Sequence, residues 1–273
     1  RQNRTGLALR SGTAPCRPTL HAQSARILIE PRTAINAEFD EQPAHYASAL
    51  KRREKLSMRD DAITLETALA SFAQRLNAAA PDAALRAAMI RCIESDLDRL
   101  PLPGAGRTLA RWQQLAAVAG IDLALFKLFE GHTDALAILA ELNAAPFAGH
   151  GIWGVWAAEP PNARVRVSQP DNGQVRLDGR KAWCSGAQQV DYALLTAWDA
   201  EDRPYLVAVQ LDQPGVSIDA QAWQAVGMAS TASVDVHLDN AVGHCVGESG
   251  DYLARPGFWQ GGAGMQRVGT APP

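Results

Sequence analysis

The chain has 273 residues, of which 47% are hydrophobic and 20% are charged, as is usual for a folded globular protein. Its formal net charge of −3 argues against a general nucleic-acid binder, and no apolar run approaches the roughly 20 residues needed to cross a bilayer. The cysteines Cys16, Cys92, Cys184 and Cys245 lack CxxC spacing, which favours reduced thiols. We therefore expect a cytoplasmic protein without nucleic-acid or membrane partners.

Residues 1–57 differ from the rest of the chain. They hold ten Lys and Arg but five Asp and Glu, with no acidic residue before Glu30. The composition is that of a transit peptide, but Pro15, Pro18 and Pro31 interrupt the segment and no helical stripe is sustained. We predict a disordered or non-native leader, translation from Met58, and an unchanged melting temperature after deletion to Met58.

Between residues 58 and 148 the apolar residues recur at helical spacing, which predicts a helical domain. Its five predicted helices carry the stripes Leu65, Leu69, Phe72 and Leu76; Leu85, Met89, Ile93, Leu97 and Leu100; Leu109, Trp112 and Ala116; Leu125, Phe126 and Phe129; and Leu136, Leu139 and Leu142. Pro81 opens the second helix, Asp122 caps the fourth and Thr133 caps the fifth. His132, between the last two, is interpreted as a helix-end residue with an ordinary partner, with ligation or catalysis as the alternative.

Residues 149–254 change to a period of two, which predicts a β-domain. Its eight predicted strands are 151–158, 164–167, 174–177, 181–185, 192–198, 205–211, 216–218 and 233–238, with turns at 172–173, 202–204 and 213–215. Short strands in this number favour an antiparallel barrel or sandwich. Helices first and strands afterwards make the fold class α+β, in two segregated domains.

The stretch from Leu177 to Ala187 carries the main candidate site. Trp183 and Ser185 are two residues apart and so lie on one face of a regular strand, where they can serve a flat aromatic ligand. The alternative is a core Trp with a satisfied Ser beside it. Cys184 would face away from both and act as a small buried hydrophobe.

The run Gly179-Arg180-Lys181-Ala182-Trp183-Cys184-Ser185-Gly186-Ala187 resembles the middle β-domain of the acyl-CoA dehydrogenase family. Three further matches follow the family's order: residues 156–160 (Trp-Ala-Ala-Glu-Pro), Gly227-Met228 with residues 234–240, and residues 255–259. The resemblance implies that Trp183 packs against the flavin ring of FAD and that Ser185 hydrogen-bonds its polar edge. It also implies backbone contacts from Ala157 and Ala158.

The function implied by the resemblance is that of a FAD-dependent oxidoreductase, which dehydrogenates an acyl thioester or performs related flavin chemistry, in a homo-oligomer. The family's catalytic Glu belongs to a C-terminal helical domain, so no catalytic residue is assigned in this chain. Residues 255–273 are interpreted as the start of that domain, truncated, and we expect the chain to purify aggregated or without flavin. The alternative is a non-catalytic helical-plus-β module or degenerate remnant.

Two departures from the family pattern bear on the substrate. The family places Thr before Glu-Pro, where this chain has Ala158, and follows Glu-Pro with a Gly- and Ser-containing loop, where this chain has Pro161-Asn162. The stiffer loop weakens the expectation of an acyl-CoA substrate more than that of a flavin. Monooxygenation and nitroalkane oxidation therefore remain open, and Glu159 is interpreted as structural.

Overall fold

Three helices precede the strands in the structure, a computed structural model that describes residues 81–144, 151–171 and 174–254. Helix α1 spans Pro81–Glu94, α2 spans Thr108–Ile121 and α3 spans Leu123–Glu141. The predicted leader, the helix expected over 61–76, the turn at 172–173 and the segment 255–273 lie outside the described residues. None of the helices in the described ranges is long and apolar enough to cross a membrane.

The fourth and fifth predicted helices are one helix, α3. The prediction of Asp122 as its N-cap is confirmed, because the Asp122 carboxylate accepts a hydrogen bond from the Leu125 N–H at 2.7 Å. The predicted break at Gly131 is wrong, and Thr133 donates to the carbonyl of Glu130 instead of capping a new helix. A helical glycine costs only about 1 kcal/mol relative to alanine, and packing on both sides of Gly131 offsets that cost.

The helical stripes are partly wrong as well. Helix α1 ends at Glu94, so Leu97 and Leu100 are buried beyond the helix rather than on it. The predicted inner face of α2 points outward: Leu109 and Trp112 are 60% and 63% exposed. The opposite face is buried instead, because Arg111 reaches Asp134 on α3 at 2.8 Å.

Within the part of the chain that the structure describes, seven strands form one sheet. They are β1 Trp153–Trp156, β2 Val165–Asp171, β3 Gln174–Cys184, β4 Tyr192–Trp198, β5 Pro204–Gln210, β6 Val216–Asp219 and β7 Val234–Cys245. The strand order is β1-β4-β2-β3-β7-β5, and an additional pairing of β4 with β5 closes the sheet into a barrel, with β6 on β7. The expectation of helices followed by strands is met, but β1 and β2 pair with β4 in parallel, so the barrel is not purely antiparallel.

Strand β3 joins two segments that were predicted as separate strands. The predicted break between the strands 174–177 and 181–185 is wrong: the strand continues through Asp178 and Gly179, with a register shift against β7 between Leu177 and Gly179. Gly179 has φ +125°, and a Cβ there would collide with the carbonyl oxygen of Arg164 on the neighbouring chain segment. Glycine therefore lets β3 pass through a bulge instead of reversing. Strand β7 likewise runs on to Cys245, beyond the predicted end at Leu238.

Alternation along the strands separates two apolar clusters. On β4, Leu195 belongs to the larger cluster, together with Leu125 and Phe129 of α3. The neighbouring Leu194 belongs to the smaller one, with Leu139 from the C-terminal half of α3. Helix α3 thus contacts both clusters and packs beside β1, which places it next to the candidate site.

Candidate functional site

Trp183 lies where β3 leaves regular strand geometry. Its φ of +58° is in the left-handed region, and the pairing with β7 shifts register between Lys181 and Cys184. A bulky residue in this conformation costs about 1–3 kcal/mol and is found where the surrounding structure enforces it, often at functional sites. The side chain is 54% exposed, so this tryptophan is not a core residue. Because of the bulge, residues two apart need not lie on the same face of the strand here. Strand alternation therefore does not show whether the side chains of Trp183 and Ser185 point the same way.

Ser185 follows the bulge and is half-buried. Its carbonyl accepts a hydrogen bond from Trp156 Nε1 at 3.2 Å, and its hydroxyl lies 2.8 Å from that of Ser233. Between the two candidates, Cys184 is fully buried, as predicted. Burial raises the pKa of the Cys184 thiol to about 12, which leaves it unreactive.

Ala157 and Ala158 lie just past the end of β1 rather than inside a strand. Both are half-buried. Because Trp156 immediately precedes them and donates to Ser185, the structure brings the start of this segment to the end of β3. Of the four candidates, Ser185 and the Ala157-Ala158 segment are therefore linked through Trp156, and Trp183 adjoins Ser185 in the chain.

A shallow pocket opens beside Ser185, between α3 and β1. Its volume is only about 10 Å³, roughly the space of one water molecule, and Lys127, Leu128 and Gly131 line it from α3. Gly154 and Val155 of β1 complete the wall opposite the helix. Trp183, Ala157 and Ala158 are not among the lining residues.

A buried ion pair joins the two halves of the candidate site. The Lys181 side chain is fully buried, and its Nζ donates to Glu159 Oε1 at 3.0 Å and to the Thr196 carbonyl and hydroxyl at 3.0 and 2.6 Å. Glu159 Oε2 accepts from Trp198 Nε1 at 2.7 Å. Since Lys181 is two residues before Trp183 and Glu159 directly follows Ala158, this pair fixes one segment against the other. These partners agree with the structural role expected for Glu159.

The electrostatics of the pair follow from burial. Desolvation lowers the pKa of Lys181 below its ordinary value, against the opposing charge of Glu159. Burial raises the pKa of Glu159, but the Lys181 charge and the hydrogen bonds from Thr196 and Trp198 outweigh it, and the pKa ends below 4.5. Three donors, from Lys181, Thr196 and Trp198, point at the Glu159 carboxylate and stabilise its ionised form.

His132 was interpreted as a helix-end residue, but it is buried in the middle of α3. Its Nδ1 accepts from the Trp153 backbone N–H at 3.1 Å, so its proton lies on Nε2, 3.1 Å from Asp98 Oδ2. The partners are ordinary, as predicted, and the residue ties α3 to the first residue of β1. In the described ranges no group of His, Cys, Asp and Glu is arranged to hold a metal ion.

Comparison with known proteins identifies the fold. No protein-family profile matches the chain, and a search of curated proteins finds no significant relative. Solved structures do match. Dibenzothiophene monooxygenase from Paenibacillus sp. A11-2, in complex with FMN and indole, is 23% identical over 75% of this chain and 56% of its own, with a TM-score of 0.54.

Two further structures agree with this match. Methanesulfinate monooxygenase from Pseudomonas fluorescens is 22% identical over 71% of this chain and 52% of its own, with a TM-score of 0.53. Nitrososynthase from Micromonospora carbonacea var. africana is 17% identical over 80% of this chain and 62% of its own, with a TM-score of 0.55. The chain therefore shares the fold of these three proteins and spans between half and two thirds of their length.

Proposed function

We propose that the protein is a flavin-dependent oxidoreductase in which Trp183 packs against the flavin ring. The observation that carries the proposal is the conformation of Trp183, a left-handed residue whose indole is 54% exposed at a strand bulge. Exposing a large aromatic side chain in a strained conformation costs free energy that no packing contact offsets. A flat aromatic ligand stacked on the indole would offset that cost.

The neighbouring residues fit the polar edge of such a ligand. Ser185 offers a hydroxyl at the end of β3, and the half-buried backbone of Ala157 and Ala158 offers amide groups at the end of β1. Ser185 would hydrogen-bond the flavin edge, and the two alanines would contact it through backbone atoms. When bound, the flavin supplies the electron-transfer chemistry, and these residues orient it.

We propose FMN rather than FAD as the cofactor, and oxygen-dependent oxidation of a small molecule rather than dehydrogenation of an acyl-CoA. FMN is named for the matched monooxygenase from Paenibacillus, together with indole. The turn at Pro161-Asn162, where Arg180 donates to the Asn162 carbonyl at 3.2 Å, is bulkier than the glycine-containing loop of acyl-CoA dehydrogenases and supports the same choice. We also propose that a whole protein of this kind oxidises a small-molecule substrate and forms a homo-oligomer.

Titration of purified chain with FMN, and separately with FAD, tests the proposal through tryptophan fluorescence and flavin absorbance. Although the chain is expected to purify without flavin, we expect added FMN to bind, and to bind more tightly than FAD. Trp183→Ala should weaken FMN binding about tenfold or more, because stacking on an aromatic contributes roughly 1–3 kcal/mol. The matched control is Trp112→Ala, since Trp112 is an equally exposed indole on α2. Undetectable binding of either flavin, or equal affinity in the Trp183 variant and its control, would contradict the proposal.

A further inference from the structure

Ser185 belongs to a cluster of three hydroxyl groups. Ser185 Oγ lies 2.8 Å from Ser233 Oγ, and Ser233 Oγ lies 3.4 Å from Thr231 Oγ1. Thr231 is buried and donates its own proton to the carbonyl of Met228 at 2.9 Å. The three hydroxyls therefore form a chain that leads from the Met228 carbonyl to the half-buried Ser185.

The backbone around this chain is held in an unusual conformation. Met228 and Ala232, on either side of the short 3-10 helix Ala229–Thr231, both have left-handed φ angles, +55° and +37°. The Thr231 carbonyl accepts from the Gly186 N–H at 2.6 Å, which fastens this helix to the residue after Ser185. The strained segment thus holds Ser233 beside Ser185 at the start of β7.

The distances identify the hydrogen bond that holds the Ser185 hydroxyl. Each hydroxyl has one proton, and that of Thr231 is committed to Met228, so Thr231 can only accept from Ser233. The 2.8 Å between Ser185 Oγ and Ser233 Oγ is within the normal range for O–H···O, and the 3.4 Å between Ser233 Oγ and Thr231 Oγ1 is beyond it. Either serine can donate in the shorter contact, and in both arrangements Ser233 is the partner that fixes the Ser185 hydroxyl.

We propose that Ser233 is a positioning residue whose 2.8 Å contact holds the Ser185 hydroxyl in place to hydrogen-bond the polar edge of the bound flavin. The inference rests on the proposed function, since it concerns the same site. Ser233 acts only through Ser185 and makes no contact with the cofactor. Without the Ser233 hydroxyl, the Ser185 hydroxyl loses this partner and can rotate, and its hydrogen bond to the flavin loses strength.

A double-mutant cycle of Ser233→Ala and Ser185→Ala, with FMN as the titrated ligand, tests the inference. We expect Ser233→Ala to weaken FMN binding about three- to tenfold, the effect of one hydrogen bond, and to shift the visible absorption maximum of bound FMN. In the Ser185→Ala background the Ser233 change should have no further effect, because the residue it positions is gone. The control is Ser217→Ala on β6, an exposed serine, which should leave binding and spectrum unchanged.

The outcomes separate the inference from the function. Unchanged affinity and spectrum in Ser233→Ala, with normal FMN binding by the parent chain, would overturn the inference alone. Fully additive effects of the two substitutions would overturn it too, because they would indicate independent contacts with the flavin. Failure of the parent chain to bind FMN would overturn the proposed function and the inference together.

Discussion

Replacement of Lys181 by methionine removes the ammonium group that joins the two halves of the candidate site. Methionine keeps an unbranched side chain of similar length, so the fully buried position stays filled. Glu159 keeps its hydrogen bonds from Thr196 and Trp198 but loses its counter-charge, with its side chain only 13% exposed. The substitution therefore leaves a largely buried carboxylate without a cation.

The expected loss of stability is about 3 kcal/mol. Removing one partner of a buried ion pair costs roughly 3–5 kcal/mol, and the two remaining donors to Glu159 place this case at the lower end. For a domain of 150–250 residues, 1 kcal/mol corresponds to about 2–4 °C, so the melting temperature should fall by roughly 6–12 °C. Affinity for FMN should fall too, because Glu159 directly follows Ala158 in the chain.

Calorimetry or denaturant unfolding of three variants measures the effect. Besides Lys181→Met, the double variant Lys181→Met/Glu159→Gln removes both charges and should recover most of the lost stability, since no orphaned charge remains. The control Arg166→Met breaks an ion pair with Asp202 at 2.8 Å in which both side chains are at least half exposed, and should cost under about 1 kcal/mol. A loss of less than about 1 kcal/mol in Lys181→Met, or a double variant as unstable as the single one, would refute the reasoning.

Three further predictions concern stability and fold. Gly179→Ala should lower the free energy of unfolding by about 2 kcal/mol or more, because φ is +125° and the new methyl meets the Arg164 carbonyl. The control is Gly120→Ala on α2, where a Cβ meets nothing within 4 Å. It should be neutral or stabilising in the same unfolding assay. The pKa of Glu159 in the folded protein lies below its ordinary value of 4.5, so its carboxylate stabilises the fold above that pH. This contribution is lost as the pH falls through the folded-state pKa. Glu159→Gln should therefore weaken the fall of stability at acid pH, and an unchanged acid dependence would contradict the lowered pKa. His132→Phe should lower stability by roughly 2–4 kcal/mol, because it leaves the Trp153 N–H and the Asp98 carboxylate unpaired; a loss below 1 kcal/mol would indicate that neither bond matters.

Local patterns in the sequence determined the element types and several boundaries. Short, largely apolar runs located β4 and β5 closely, because these strands are covered on both faces and bury consecutive side chains. The side chain of Asp122 marked the start of α3, because a cap bonds to the backbone three residues away and needs no distant partner. Residues 179–187 also predicted the candidate site, through a resemblance, and the matched structures bear on the fold alone.

Only the tertiary structure decided the features that depend on distant partners. Helix α2 buries Arg111 rather than Trp112 because Asp134, 23 residues further along, accepts the guanidinium. Lys181 is buried because Glu159 and Thr196, 22 residues before it and 15 residues after it, reach it from two other segments of the chain. A periodicity reports which side chains share a face, but which face is covered depends on the charges and shapes that the rest of the chain brings to it.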